Sequence, residues 1–73
     1  MARSEMELLI IKSGEDYVRV KTEDYILCQL DKASVFPIDN LDEVKKHFKK
    51  LKERNFPLLS IYKLKLIEEQ FQD

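Results

Sequence analysis

The first half of the chain alternates short apolar stretches with polar turns, a pattern that predicts strands. Residues 6–12 carry apolar side chains on both faces of an extended backbone, as a central strand does. Residues 13–16 follow and contain the only glycine, Gly14, the residue type that accepts a positive φ at least cost. We therefore expect a hairpin that leads into a second, alternating strand over residues 17–21.

Two further strands are predicted before the pattern changes. The third covers residues 25–30, and its apolar side chains again occupy both faces. A short fourth strand is predicted over residues 34–38. Pro37 would keep this strand at an edge of the sheet, because proline has no N–H to donate to a ladder.

The apolar period becomes that of a helix over residues 41–54. The stripe suited to lie against a sheet recurs at i, i+3, i+7 and i+10, as Leu41, Val44, Phe48 and Leu51. Acidic side chains in the first turn and basic ones towards the end match the helix macrodipole. Residues 55–57 should end the helix, because the residue before Pro57 disfavours helical backbone. Residues 58–67 then alternate as a last strand.

Together these elements predict one small domain over residues 1–73, of the α+β class. Its parts are an antiparallel β meander of three to four strands, one amphipathic helix packed on one sheet face, and a C-terminal strand that returns to the sheet. Residues 1–5 and 69–73 are expected to fray. A domain of this size buries only about 60% of the surface of its unfolded chain, which favours further burial against another copy or another protein.

A single helix covers only one face of a sheet, so the second face is the first candidate site. We expect Val18, Val20, Ile26, Cys28, Tyr62, Leu64 and Leu66 to point under the helix. The second face would then present the side chains predicted to mediate interactions: Tyr17, Arg19, Tyr25, Leu27, Ile61, Lys63, Lys65 and Ile67. Three interpretations stay open, namely a homodimer core, a surface that stacks bases beside phosphate-neutralising cations, and a solvated face.

Charge is strongly segregated along the chain and provides the second candidate surface. Residues 44–67 hold eight basic side chains and one acidic one, whereas the whole chain has a net charge of −1. Four lysines on the predicted helix, Lys45, Lys46, Lys49 and Lys50, are candidates for contact with a nucleic-acid backbone. The alternative is a solvated helix face, since lysine is a good helix former. The overall acidity of the chain and the lack of a recognised nucleic-acid-binding motif disfavour contact of these lysines with nucleic acid.

The sequence offers little catalytic chemistry, and we expect no enzyme, no metal and no cofactor. The single cysteine, Cys28, lies in an apolar run and is interpreted as a small core residue. The single histidine, His47, lies at the border of the helix stripe and is interpreted as a partly buried structural imidazole. The longest uninterrupted apolar run has four residues, so no membrane association is expected and the cytoplasm is the predicted location.

Overall fold

The structure is a computed structural model that describes residues 5–22 and 24–71. Along these residues the elements are β1 (Glu5–Ser13), β2 (Asp16–Val20), β3 (Tyr25–Cys28), β4 (Val35–Pro37), α1 (Leu41–Glu53) and β5 (Leu59–Ile67). Two short 3-10 turns, Leu30–Lys32 and Ile38–Asn40, flank β4. The predicted α+β class is confirmed, with one helix packed on an antiparallel sheet and the C-terminal strand hydrogen bonded to β1.

β1 is the central strand because both of its edges are hydrogen bonded. β5 pairs antiparallel with all nine residues of β1 along one edge. The other edge is shared by β2, which pairs with Lys12 and Ser13, and by β4, which pairs with residues 8–10. After β3 the chain therefore crosses back to lie beside β1, and β3 pairs with β2. The apolar side chains on both faces of β1 are consistent with this central position.

The core lies between α1 and one face of the sheet. Val44 and Leu51 of the helix are fully buried, and they join a cluster completed by Leu9, Ile11, Val18 and Tyr25. Phe36, Phe48 and Ile61 are among the partly buried residues that pack around this cluster. Three of the four residues of the predicted helix stripe, Val44, Phe48 and Leu51, thus belong to the core, whereas Leu41 in the first turn is exposed.

A hydrogen-bonded C-terminal cap ends α1. Asn55 adopts a left-handed conformation with φ 63°, and its N–H donates to the Lys52 carbonyl. The N–H of Phe56 donates to the Leu51 carbonyl at 3.1 Å, which completes a Schellman motif. The predicted end at residue 54 is one residue later than the observed Glu53.

The loop after the helix is tied to the β1–β2 hairpin. The hydroxyl of Ser13 donates to the Pro57 carbonyl at 2.6 Å, and the N–H of Gly14 donates to the Leu58 carbonyl at 3.0 Å. Gly14 has φ 61°, as the hairpin prediction required, and Leu58 also has a positive φ of 49°. These bonds fix the point at which the chain enters β5.

The prediction of which side chains face the helix was wrong for β3 and β5. Tyr25 pairs with Val20 and lies in the core at 8% exposure, whereas Ile26 on the opposite face is exposed. In β5, Ile61 pairs with Ile11 on the helix side, and Tyr62 lies on the other side. Both strands carry large apolar side chains on each face, with Ile61 and Ile67 beside two lysines on one face of β5, so alternation alone cannot give their orientation.

The ends of the chain differ in part from the expected fraying. Glu5 belongs to β1 and pairs with Ile67, while residues 1–4 and 72–73 lie outside the described residues, as does Glu23. Residues 68–71 follow β5 without regular secondary structure. Within the described part of the chain, no helix is long and apolar enough to cross a membrane.

Candidate interaction surface

The sheet surface that faces away from α1 is called the open face here, and cross-strand pairing defines it, since paired residues share a face. In β1, Leu9 and Ile11 point into the core, and the residues between and beside them point to the open face. In the other strands, the residues that pair with these open-face residues of β1 share their face, and so does every second residue along each strand. The open face consists of Met6, Leu8, Ile10, Lys12, Tyr17, Arg19, Ile26, Cys28, Val35, Pro37, Ser60, Tyr62, Leu64 and Leu66.

The part of the open face formed by β1 and β5 is apolar and uncovered. Met6 is 54% exposed, Tyr62 51% and Leu66 58%. Ile10, in contrast, is fully buried between its pairing partners on β4 and β5, Val35 and Tyr62. The patch therefore has a packed centre and exposed side chains around it, the arrangement found at protein interaction sites.

A lysine lies between two aromatic rings at one end of this patch. Lys12 Nζ is 4.9 Å from the ring centroid of Tyr17 and 4.8 Å from that of Tyr62. Each contact is a cation–π interaction worth about 0.5–1 kcal/mol at an exposed site. Together with Arg19, Lys12 makes this end of the open face basic.

The opposite end of the patch is acidic. Glu68 lines a shallow hollow of about 170 Å³ together with Met6 and Leu66, and Glu5, which pairs with Ile67 on the helix side, reaches the edge of the same hollow. The open face thus runs from a basic end at Lys12, across apolar side chains, to Glu68 just beyond the end of β5.

The structure separates the residues predicted to form one interaction face. Tyr17 and Arg19 are on the open face, as predicted. The other six lie on the helix side of the sheet: Tyr25, Leu27, Ile61, Lys63, Lys65 and Ile67.

The apolar patch itself was not predicted from the sequence, although a signal was present. β1 is apolar on both faces, and one helix can cover only one of them.

Charges on the helix side of β1 and β5 neutralise each other. Lys63 Nζ lies 2.9 Å from Glu7 Oε2, and the hydrogen bond and charge of Lys63 lower the pKa of that carboxyl. Lys65 pairs directly with Glu7 in the register. The ends of these two strands therefore have one charged face and one apolar face.

The predicted nucleic-acid contacts Lys45, Lys46, Lys49 and Lys50 are all exposed on α1. They lie on the opposite side of the sheet from the open face, so the two candidate surfaces are separate. Lys50 differs from the other three because it lines a cleft beside Tyr25 and His47.

His47 has a polar partner inside the fold. The Tyr25 hydroxyl lies 2.8 Å from His47 Nδ1, while Nε2 is 3.8 Å from Glu43 Oε1. Burial raises the pKa of Tyr25, with the charge of Arg54 opposing that shift. Within residues 5–22 and 24–71, no three His, Cys, Asp or Glu side chains are grouped to hold a metal ion.

Cys28 is a partly buried residue of the open face rather than of the main core. Its thiol donates to the Tyr17 carbonyl at 3.5 Å, and burial raises its pKa. The thiolate, which is the reactive form, is thereby disfavoured.

Comparison of the chain with protein-family models, with curated proteins and with solved structures finds no match.

Proposed function

We propose that this chain is a small, non-catalytic protein-interaction module that forms a homodimer through the open face. The observation that carries the proposal is the uncovered apolar patch, on which Met6, Tyr62 and Leu66 are each more than half exposed. Large exposed apolar surface is uncommon on monomers, because burial of that surface is favourable.

The charge pattern of the open face favours a second copy as the occupant. In a face-to-face pair related by a two-fold axis through the patch, the basic end of one copy lies over the acidic end of the other. Lys12 would then approach Glu68 of the second copy, while the apolar side chains meet in the middle. This arrangement is self-complementary, as a two-fold interface must be.

The size of the patch sets the expected affinity. β1, β4 and β5 span about 14 Å across and about 30 Å along the strands, which gives a projected area of about 400 Å². A standard interface buries about 800 Å² on each partner. We therefore expect a weak dimer that forms at micromolar or higher concentration, in exchange with the monomer.

Such a module would reside in the cytoplasm, where reducing conditions keep the Cys28 thiol free.

Sedimentation equilibrium over micromolar to millimolar concentration tests the proposal. The wild-type chain is expected to reach twice the monomer mass. Leu66→Lys, on the open face, should remain monomeric, whereas Ile67→Lys, its neighbour on the other face of β5, should still dimerise. Far-UV circular dichroism verifies that both variants fold. A wild-type monomer at every concentration, or equal behaviour of the two variants, would overturn the proposal.

A charge exchange tests the orientation of the two copies. Lys12→Glu and Glu68→Lys are each expected to weaken the dimer, because like charges then meet at its ends. The double variant restores the opposite-charge contact and should recover most of the affinity. Additive weakening in the double variant would contradict the two-fold arrangement.

The second candidate function is nucleic-acid binding, which the four exposed lysines of α1 favour. If all four contact phosphates of a duplex, the logarithm of the binding constant should fall with the logarithm of salt concentration with a slope of about −4. Fluorescence anisotropy with mixed-sequence single- and double-stranded oligonucleotides at two salt concentrations measures this slope. Unchanged binding after reversal of the charges of Lys45, Lys46, Lys49 and Lys50 would exclude this surface.

A further inference from the structure

The helix side of the molecule contains a cleft that the proposed dimer does not use. It has a volume of about 320 Å³ and lies between the turn after β2 and the second half of α1. His47, Lys50 and Arg54 line one wall, at the i, i+3 and i+7 spacing that places side chains on one face of a helix. Lys21 and Asp24 line the cleft from the turn after β2, and Tyr25 of β3 also lines it.

The cleft concentrates positive charge in a protein that is acidic overall. Among its described lining residues, Lys21, Lys50 and Arg54 are cations, and Asp24 is the one carboxylate. The whole chain, by comparison, has a net charge of −1. Asp24 offsets one of these charges through its contact with Arg54, and the positive charge that remains among the described lining residues lies on a concave surface, which attracts an anion more strongly than a convex helix face does.

The Arg54 side chain is exposed, but two contacts hold its guanidinium in position. Its Nη1 lies 3.1 Å from Asp24 Oδ1, and the same carboxylate oxygen accepts the Tyr25 N–H at 2.8 Å. The guanidinium also lies over the Tyr25 ring, 5.1 Å from its centroid. A planar guanidinium that is already oriented loses little conformational entropy when it binds an oxyanion.

Tyr25 and His47 add polar side chains to the cleft. The Tyr25 hydroxyl lies 2.8 Å from His47 Nδ1, so a hydrogen bond joins the two side chains. This bond holds both rings in place beside the cations.

From this arrangement we propose that the cleft binds the phosphate group of a small phosphate monoester. A dianionic phosphate matches the charge balance of the described lining residues, three cations and one carboxylate, and phosphate oxygens have the geometry that arginine binds. The volume is at the lower end of the range for ligand pockets, about 300–1,000 Å³, so the ester should be small. The site lies on the opposite side of the sheet from the open face, so it is independent of the dimer proposal.

The first test is an NMR titration of the full chain with inorganic phosphate and with pyrophosphate, against sodium chloride at matched ionic strength. Saturable amide shifts around residues 20–25 and 47–54 are expected. Lys50→Gln should weaken pyrophosphate binding about tenfold, as expected for loss of one charge-assisted hydrogen bond. The matched control Lys46→Gln removes the same charge from the same helix outside the cleft, and it should change affinity less than about twofold.

Two results would overturn the proposal. One is a set of shifts that do not saturate and that spread over every lysine of α1. The other is an equal loss of affinity in Lys50→Gln and Lys46→Gln. Both would show general screening of the basic helix rather than a site. Arg54→Gln gives a second check, since it should weaken binding while the amide spectrum shows an intact fold.

The phosphate could belong to a small metabolite or to the end of a nucleic acid, and competition separates these sources. Displacement of pyrophosphate by glycerol phosphate, with an affinity that Lys50→Gln reduces, supports a small ester. Displacement by an oligonucleotide only when it carries a 5′-phosphate supports a nucleic-acid end. An oligonucleotide that binds equally well without its 5′-phosphate, and unaffected by Lys50→Gln, would contradict the cleft as the phosphate site.

Discussion

The hydroxyl of Tyr25 lies 2.8 Å from Nδ1 of His47 and links the outer strand β3 to α1. The two rings also meet edge to face, with centroids 5.7 Å apart, and Phe56 contacts the Tyr25 ring in a second edge-to-face pair at 6.3 Å. One aromatic side chain thus combines apolar burial with a polar contact. This residue fixes which face of β3 is turned towards the helix.

Replacement of Tyr25 by phenylalanine removes the hydroxyl and retains the ring. The free energy of unfolding should fall by about 1 kcal/mol, because His47 Nδ1 loses its hydrogen-bonding partner in a partly buried site. Urea denaturation measures the change. Tyr62→Phe is the matched control, since Tyr62 is exposed, and it should change stability by less than about 0.5 kcal/mol. Equal effects of the two substitutions would contradict a stabilising Tyr25–His47 contact.

Stability should also depend on pH in the alkaline range through Tyr25. Burial raises the pKa of this phenol in the folded chain, so the unfolded chain loses the proton first. The contribution is therefore complete below the ordinary tyrosine pKa of about 10 and is lost as the pH rises above it. Urea denaturation between about pH 9 and pH 11 should show a steeper loss of stability for the wild type than for Tyr25→Phe. Identical slopes would exclude the effect.

Gly14 is required for its backbone conformation rather than for space. A Cβ at this position would meet Leu58 Cδ1 at 3.9 Å, an ordinary contact, but φ is 61°. Gly14→Ala should therefore cost about 1–2 kcal/mol from left-handed strain alone. Gly14→Asn should cost less, because asparagine tolerates this conformation better, and thermal or urea unfolding of the pair compares them. An asparagine variant no more stable than the alanine variant would contradict backbone strain as the cause.

The Glu7–Lys63 ion pair should contribute to stability only above acidic pH. The hydrogen bond from Lys63, followed by its charge, lowers the pKa of Glu7 in the folded chain. Its contribution is therefore present above the ordinary carboxyl value and is lost as the pH falls through the lowered pKa. Lys63→Gln should reduce the difference in unfolding free energy between about pH 6 and pH 3, whereas Lys49→Gln should leave that difference unchanged. No difference between the variants would show that solvent screens this pair completely.

The helix and the class of the fold were predictable because local signals agreed there. An apolar period of 3.6, acidic residues in the first turn and Pro57 beyond the end all indicated the same segment, and α1 is observed at Leu41–Glu53. Gly14 marked the first hairpin for a similar reason, since its positive φ is a local requirement. Pairing of β4 with β1 is a long-range feature that no local pattern contains.

The open face was not predictable in detail because strand orientation in β3 and β5 depends on tertiary contacts. In β3, Tyr25 and Ile26 are both compatible with burial, and the contacts of Tyr25 with His47 and Phe56 favour its orientation towards α1. In β5, pairing of Ile61 with Ile11 fixes the orientation of every following residue, since a strand alternates. The basic cleft combines residues of the turn after β2 with residues of α1, so the sequence does not show their proximity.

The central position of β1 has a consequence for how the chain acquires its structure during synthesis. The first strand to be made pairs along one whole edge with the last, so most of its hydrogen bonds wait for residues 59–67. A nascent chain that still lacks β5 exposes an apolar strand with an open edge. We expect folding to begin only after β5 leaves the ribosome. It should also be slower than in helical proteins of equal length, because the pairing of β1 with β5 joins residues that are far apart in the sequence.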